Sequence, residues 1–141
     1  MKTEIHKRVY HEPGEIVWGR IFNGIEDRNS SGKWRPVVIL EPGDQKHRVI
    51  GLTSQRAYKT TCAPRVPIPN PTACGLRNGG FIWSPKPSWC LRFDLGDHIG
   101  WADNELAAVI ATMVDANWSQ IDRMLDAVAR RSLGGDHGLA L

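Results

Sequence analysis

The chain has 141 residues, of which 41% are hydrophobic and 23% charged, the composition of one globular domain rather than of a disordered chain. Its apolar runs fall well short of the roughly 20 residues of a membrane helix, and residues 1–12 lack the apolar segment of a signal peptide. We therefore expect a cytoplasmic protein with no membrane partner.

Neither the cysteines nor the histidines follow the spacing of a metal site. Cys62, Cys74 and Cys90 form no C-x-x-C pair, which favours three reduced, partly buried thiols. The five histidines are scattered along the chain, and we interpret each as a surface or singly hydrogen-bonded imidazole. The sequence therefore indicates no metal and no cofactor.

The net charge of +3 conceals two regions of opposite sign. Residues 28–65 hold eight Lys and Arg against two acidic residues, a net of +6, whereas residues 94–126 hold one Arg against seven Asp and Glu, a net of −6. A single cation in a loop usually does no more than face water. A cluster of cations suits a polyanion, because phosphate contacts supply most of the affinity that does not depend on sequence.

The first predicted strand, residues 15–22, follows the turn pair Pro13-Gly14 and is rich in β-forming residues. Gly19 inside it suggests a bulge or bend, as a small barrel needs where a strand turns a corner. Residues 1–13 form an N-terminal extension. The polar residues 23–33 are predicted to be a mobile loop.

Residues 35–41 and 47–53 predict a hairpin around a Pro-Gly-Asp turn. Pro36 fixes its own φ and favours an extended Arg35, which then leaves the loop in a defined direction. Thr53 stands at the far end of the next strand, and in an antiparallel pair those two ends lie side by side. A guanidinium and a hydroxyl held together form a site for an anion.

Residues 56–88 are rich in proline and give the weakest pattern. Residues 65–68 are predicted as an edge strand, where proline is tolerated, and residues 81–83 as another short strand. Trp83 and Trp89 either stack on bases, as exposed aromatics do in single-strand binders, or pack in the core.

Residues 89–94 predict a further strand, in which Arg92 and Asp94 are two positions apart and therefore face the same side. Two interpretations of this pair are open. It is either a functional pair or an ordinary ion pair at the surface.

The C-terminal part of the chain predicts a helical segment with Asp103 as its N-cap. Apolar residues recur there at helical spacing with a drift in phase, so one bent helix or two consecutive helices would both satisfy the pattern. We expect the apolar face to pack on the sheet. Gly134-Gly135 is predicted to end the helix and to leave residues 134–141 as a flexible tail.

Four short motifs, taken in order, resemble the PemK/MazF family of toxin–antitoxin systems: Gly14-Glu15-Ile16-Val17-Trp18, the segment from Gly32 to Val38, Thr53-Ser54 and Leu91-Arg92-Phe93-Asp94. The resemblance extends over residues 14–130 and is strongest before residue 56. It implies a mainly β fold with a C-terminal helix (α+β), in which residues 14–133 form an SH3-like barrel of the CcdB/PemK/MazF type. Some members carry a catalytic histidine in the loop after the first strand, where this sequence has Arg28 and Asn29.

The resemblance also implies a sequence-selective, metal-independent endoribonuclease toxin that cleaves single-stranded RNA through the ribose 2′-hydroxyl. Such a protein is expected to be a homodimer that a cognate antitoxin neutralises. By resemblance, Arg35 and Thr53 hold the phosphate, Asp94 is the base, and Arg92 stabilises charge, since an arginine with a pKa above about 12 is a poor proton donor. The other candidate RNA contacts are Arg28, Lys33, Trp34, Ser54, Gln55 and Arg56.

Two other functions fit the same residues. The same barrel in CcdB-like toxins binds DNA gyrase without cutting RNA, and a non-catalytic SH3-like module would bind nucleic acid in a salt-sensitive way. The Arg35/Thr53 and Arg92/Asp94 pairs favour the nuclease.

Overall fold

A computed structural model describes residues 10–21, 33–54, 65–83, 86–114 and 117–140, with the side chains of Lys33 and residues 134–140 outside the description. It contains seven strands: β1 (Glu15–Ile21), β2 (Lys33–Glu41), β3 (Lys46–Thr53), β4 (Val66–Pro67), β5 (Phe81–Ile82), β6 (Ser88–Leu91) and β7 (Leu95–Trp101). Two α-helices follow, α1 (Asn104–Met113) and α2 (Trp118–Ala140), and two 3₁₀ helices cover Thr72–Cys74 and Arg92–Asp94. The described chain is mainly β with C-terminal helices, which confirms the α+β class. Among these residues, no helix has both the length and the apolar content needed to cross a membrane.

The strands form one antiparallel sheet in the order β4-β5-β3-β2-β1-β7, with β6 also paired to β3. β2 and β3 pair with Val37 opposite Gly51 and Val38 opposite Ile50, which confirms the predicted hairpin. Within the described ranges, no pairing joins β4 to β7, so the sheet is open.

Both faces of the sheet are buried, which explains the four consecutive apolar residues in β2. Because side chains alternate along a strand, Val38 and Leu40 enter a core shared with both α-helices. Val37 and Ile39 enter a second core on the other face, together with side chains of β1, β3 and β6. Burying a Val, Leu or Ile side chain contributes about 1.5–3 kcal/mol, so the two cores hold the strands at the centre of the sheet in register.

Two predicted local features of the sheet are present. The register between β1 and β7 shifts between Val17 and Gly19, and a Cβ on Gly19 would lie only 2.9 Å from Cγ2 of Val37. The irregularity predicted at Gly19 is therefore confirmed. β4 pairs only with β5 among the described strands, which confirms an edge strand that contains Pro67.

The C-terminal segment consists of two helices rather than one bent helix. The Asp103 side chain caps α1 by accepting a hydrogen bond of 2.9 Å from the backbone N–H of Leu106, as predicted. Val114 is extended and ends α1. α2 continues through Gly134 to Ala140, so the prediction that the glycine pair ends the helix is wrong. A glycine inside a helix costs only about 1 kcal/mol relative to alanine, and no proline follows to stop it.

Cys74 and Cys90 are buried free thiols, as predicted. Burial raises the pKa of each thiol to about 11. Both therefore behave as small apolar side chains rather than as nucleophiles. Cys62 lies outside the described residues.

Candidate functional site

A cleft of about 550 Å³ opens where β2 begins and β3 ends. Four strands of the sheet (β1, β2, β3 and β7) contribute residues to it, and the loop of residues 75–80 lines it as well. Its strand residues are Trp18, Trp34, Arg35, Pro36, Leu52, Thr53, His98 and Ile99, and Ser54 follows directly after β3. The cleft therefore brings together four of the residues that the sequence marks as candidates.

Arg35 and Thr53 come together because of the hairpin register. Val37 lies opposite Gly51 at the end of the β2–β3 ladder, and Arg35 and Thr53 each stand two positions beyond this pair, at the same end of the two strands. Both residues line the cleft, and both are half-buried. Eighteen positions apart in sequence, a cation and a hydroxyl thus lie at one end of a strand pair, as the hairpin pattern predicts.

The Arg35 guanidinium stacks on Trp83. Its Cζ atom lies 4.2 Å from the centroid of the indole ring, a distance at which a cation is attracted to an aromatic face. Gly51 makes room for this stack, because a Cβ there would lie 2.8 Å from Cε3 of Trp83 and 3.6 Å from Cδ of Arg35. Of the two interpretations of Trp83, the structure supports packing, here against the candidate phosphate-binding cation.

Trp34, next to Arg35 in β2, points to the other face of the sheet, because side chains alternate along a strand. Trp18 shares that face with Trp34, since Trp18 lies opposite Pro36 and Arg20 lies opposite Trp34 in the β1–β2 pair. The two indoles are 43% and 46% exposed. The cleft thus borders a cation and a hydroxyl on one face of the sheet and two exposed indoles on the other.

The predicted pairing of Arg92 with Asp94 on one strand is wrong. β6 ends at Leu91, and Arg92–Asp94 forms a 3₁₀ helix, in which three residues make a turn and positions two apart do not share a side. Asp94 is 7% exposed and accepts hydrogen bonds from Nε and Nη2 of Arg20 at 3.2 and 2.9 Å. The exposed Arg92 donates from Nη1 to the backbone oxygen of Asp44 at 3.3 Å. Neither residue lines the cleft.

The remaining candidates fall partly outside the description. Arg28, Gln55 and Arg56 are not among the described residues. Lys33 begins β2 with its backbone opposite Ile21, and its side chain lies outside the description. Trp34 and Ser54 line the cleft.

A buried carboxylate beside the cleft is a feature that the sequence analysis missed. Glu15 is fully buried, and one of its oxygens lies 2.9 Å from Nδ1 of His98. The other lies 3.4 Å from Nδ1 of His11 and 3.2 Å from the backbone N–H of Glu12. Burial alone would raise the pKa of Glu15, but the contacts with His11 and His98 and the hydrogen bond from the Glu12 backbone outweigh it and lower the pKa to about 2.

The Glu15 carboxylate fixes the state of the His98 ring. An ionised carboxylate only accepts hydrogen bonds, so Nδ1 of His98 carries the proton and Nε2 is the basic nitrogen. His98 is exposed and lines the cleft. An acidic residue at the start of β1, directly before Ile16 and Val17, was the available signal, because a buried charge requires a partner. The sequence does not identify that partner, which stands 83 positions away.

No protein-family model matches this chain, and no curated protein shows a significant match to it. Its function is therefore inferred from the chemistry of the cleft. The guanidinium and hydroxyl can hold a phosphate, the indoles can stack on flat rings, and an imidazole held by a carboxylate can accept a proton from a bound ligand.

Proposed function

We propose that the protein is a metal-independent endoribonuclease toxin of the PemK/MazF type, which cleaves single-stranded RNA at selected sequences through the ribose 2′-hydroxyl. In this proposal the open sheet corresponds to an SH3-like barrel of the CcdB/PemK/MazF type. The protein acts as a homodimer, and a cognate antitoxin neutralises it. The observation that carries the proposal is the position of Arg35 and Thr53 at one cleft.

The phosphate is assigned to Arg35 and Thr53. The stack on Trp83, at 4.2 Å, limits the directions in which the guanidinium can point, and a pre-oriented guanidinium binds phosphate oxygens through two parallel hydrogen bonds. The Thr53 hydroxyl donates a further hydrogen bond. Negative charge grows on the phosphate oxygens in the transition state, so these donors stabilise the transition state more than the bound RNA.

The proton acceptor is His98 rather than Asp94. Asp94 is hydrogen-bonded to Arg20 and is not among the residues of the cleft, whereas His98 lines the cleft and is held by Glu15. Nε2 of His98 accepts the 2′-hydroxyl proton, and the 2′-oxygen forms a bond to phosphorus. The bond from phosphorus to the 5′-oxygen breaks, and the 5′-oxygen takes a proton from water. The hydroxide left behind takes the proton from the His98 imidazolium, and the new 3′ end is a 2′,3′-cyclic phosphate.

The test compares RNA cleavage by the wild type and by Arg35→Ala in excess EDTA. Arg48→Ala is the matched control, because Arg48 stacks on Trp89 at 4.5 Å as Arg35 stacks on Trp83, but lies outside the cleft. We expect fragments with cyclic phosphate ends from the wild type and the control. Arg35→Ala should cleave roughly 100-fold to 1,000-fold more slowly, the usual effect of removing one such donor.

Intact RNA with the wild type, or equal cleavage by the wild type and Arg35→Ala, would reject the proposal. Growth arrest that depends on DNA gyrase, with no loss of RNA, would favour a CcdB-like toxin instead. Salt-sensitive binding of RNA without products would favour a non-catalytic module.

A further inference from the structure

We infer that Trp18 and Trp34 form a subsite for unpaired nucleobases beside the candidate scissile phosphate. The inference rests on the proposed function for its ligand, single-stranded RNA. It concerns binding and base selection rather than the cleavage step. Its basis is the exposure, position and surroundings of the two indoles.

The two indoles are diagonal neighbours on one face of the sheet. Trp18 is opposite Pro36 and Trp34 is opposite Arg20, and diagonal positions of an antiparallel pair lie about 7–8 Å apart, within reach of aromatic side chains. Both rings line the cleft. At 43% and 46% exposure they leave a large apolar area open to a ligand. Tryptophans that serve only to pack the domain would bury this apolar area in a core.

Gly96 in β7 lies against both tryptophans. A Cβ on Gly96 would lie 3.4 Å from Cβ of Trp18 and 3.6 Å from Cζ3 of Trp34. A side chain at this position would therefore begin in van der Waals contact with both residues. Glycine adds no side-chain atoms at this point beside the two indoles.

Arg20 holds the Trp34 ring from one side. Its guanidinium carbon lies 5.1 Å from the ring centroid, and the guanidinium is itself fixed by the Asp94 carboxylate at 2.9 Å. The chain Asp94–Arg20–Trp34 therefore restrains the indole before any ligand arrives. A rigid aromatic loses little conformational entropy when a base stacks on it.

The loop of residues 75–80 supplies polar groups at the same cleft. Arg77 and Asn78 are exposed and line it. The Asn78 amide carries both donors and an acceptor, and Arg77 carries donors only. Such groups recognise the hydrogen-bonding edges of an unpaired base, while stacking accepts every base. The subsite therefore combines general affinity from the indoles with base selection from the loop.

Charge favours a nucleic acid over other flat ligands. No Asp or Glu is among the described residues that line the cleft, whereas Arg35 and Arg77 are. Its volume of about 550 Å³ falls within the range of small-ligand sites, roughly 300–1,000 Å³. A ligand that joins flat rings to negative charges at this scale is one or two nucleotides of a single strand.

The experiment measures the binding of a fluorescent single-stranded DNA oligonucleotide, which lacks the 2′-hydroxyl and cannot be cleaved. The variants are Trp18→Leu, Trp34→Leu and Trp34→Phe. Trp89→Leu is the control, because Trp89 is 51% exposed but does not line the cleft. Far-ultraviolet circular dichroism verifies that each variant is folded.

We expect each leucine variant in the cleft to weaken binding by about fivefold to 150-fold, the effect of losing one base stack. Trp34→Phe should retain most of the affinity, and Trp89→Leu should bind like the wild type. Because stacking involves no phosphate, the dependence of affinity on salt concentration should stay unchanged. An oligonucleotide with abasic sites should bind the wild type at least as weakly as each leucine variant binds the intact strand.

Equal affinity of the wild type, Trp18→Leu and Trp34→Leu would overturn the inference, as would wild-type affinity for the abasic strand. Binding that depends on both indoles, without any RNA cleavage, would keep the subsite and reject the nuclease. Cleavage by the wild type with no effect of the two indoles would keep the nuclease and reject the subsite.

Discussion

Nδ1 of His98 lies 2.9 Å from a carboxylate oxygen of Glu15, and this contact joins β7 to β1 beside the cleft. The carboxylate is fully buried and ionised, whereas the imidazole is exposed. In the proposed reaction Glu15 therefore acts through His98 as a positioning residue, and it stabilises the imidazolium that forms when His98 accepts a proton.

Glu15→Gln should lower kcat of RNA cleavage on the order of 100-fold while KM stays close to the wild-type value, because the substitution keeps the size of the side chain and removes its charge. His98→Ala should lower kcat by a similar or larger factor. The control is Asp97→Asn, an exposed acidic residue next to His98. Wild-type kcat in either of the first two variants would exclude this role of His98.

The same carboxylate should make the fold sensitive to acid. The pKa of Glu15 is about 2 in the folded protein against an ordinary 4.5, so the folded state binds its proton less tightly than the unfolded chain. The stabilisation is complete above about pH 4.5 and is lost as the pH falls towards 2, by up to roughly 3 kcal/mol. Urea unfolding at pH 7 and at pH 3 should show this loss in the wild type and much less of it in Glu15→Gln.

His47 should cause a second loss of stability as the pH falls, and this loss begins at a higher pH than the loss caused by Glu15. Burial lowers the pKa of this imidazole below 6.5, and the charges of His11 and Arg92 lower it further. Its Nδ1 accepts a hydrogen bond of 3.0 Å from the backbone N–H of Gly43 in the hairpin turn. The folded protein therefore binds the His47 proton less tightly than the unfolded chain does, and its stability should fall as the pH drops below about 6.5. Glu15→Gln should leave this loss unchanged. An identical profile of stability against pH for the wild type and the variant over the whole pH range would contradict the assignment.

The sequence predicted the parts of the fold that have a local pattern. The apolar run of β2, the turn after it and the Asp103 cap each occupy a few consecutive residues, so the hairpin and the start of α1 follow from them. The hairpin in turn brings Arg35 to Thr53. Contacts between distant strands leave no such pattern.

Two distant contacts account for what the sequence analysis missed. Asp94 pairs with Arg20 across 74 positions, and His98 pairs with Glu15 across 83. In each case the sequence shows one partner as a charged residue, but no nearby sequence pattern identifies the residue that it contacts. The 3₁₀ helix of residues 92–94 is a single turn, too short to show a period.

Gly51→Ala should disturb the candidate phosphate site without replacing a charged residue. Its Cβ would lie 2.8 Å from Cε3 of Trp83 and 3.3 Å from Cδ1 of Ile21, so the indole must move and the Arg35 stack must open. We expect about 1–3 kcal/mol lower stability from the crowding, together with slower cleavage. Urea unfolding and RNA cleavage measure the two effects.

Trp83→Leu separates the loss of the stack from the crowding. If Gly51→Ala acts through the stack, the double variant should cleave little more slowly than either single variant, since both remove the same orientation of Arg35. Cleavage losses that multiply in the double variant would show that Gly51 and Trp83 act independently.

Asp94→Asn distinguishes the two assignments of the proton acceptor. The Asp94 carboxylate accepts two hydrogen bonds from Arg20, whose side chain is 32% exposed. Breaking a fully buried pair costs about 3–5 kcal/mol, and solvent screening at this partly exposed pair reduces the expected loss to about 1–2 kcal/mol. If Asp94 holds Arg20 in place, Asp94→Asn should unfold at lower urea concentration, and cleavage under conditions where it is folded should slow by less than tenfold.

If Asp94 is the base, cleavage should fall at least 100-fold, as loss of a general base does, and His98→Ala should then cleave at close to the wild-type rate. The pair of variants therefore identifies one acceptor or the other, because only one of them can abolish the transfer of the 2′-hydroxyl proton.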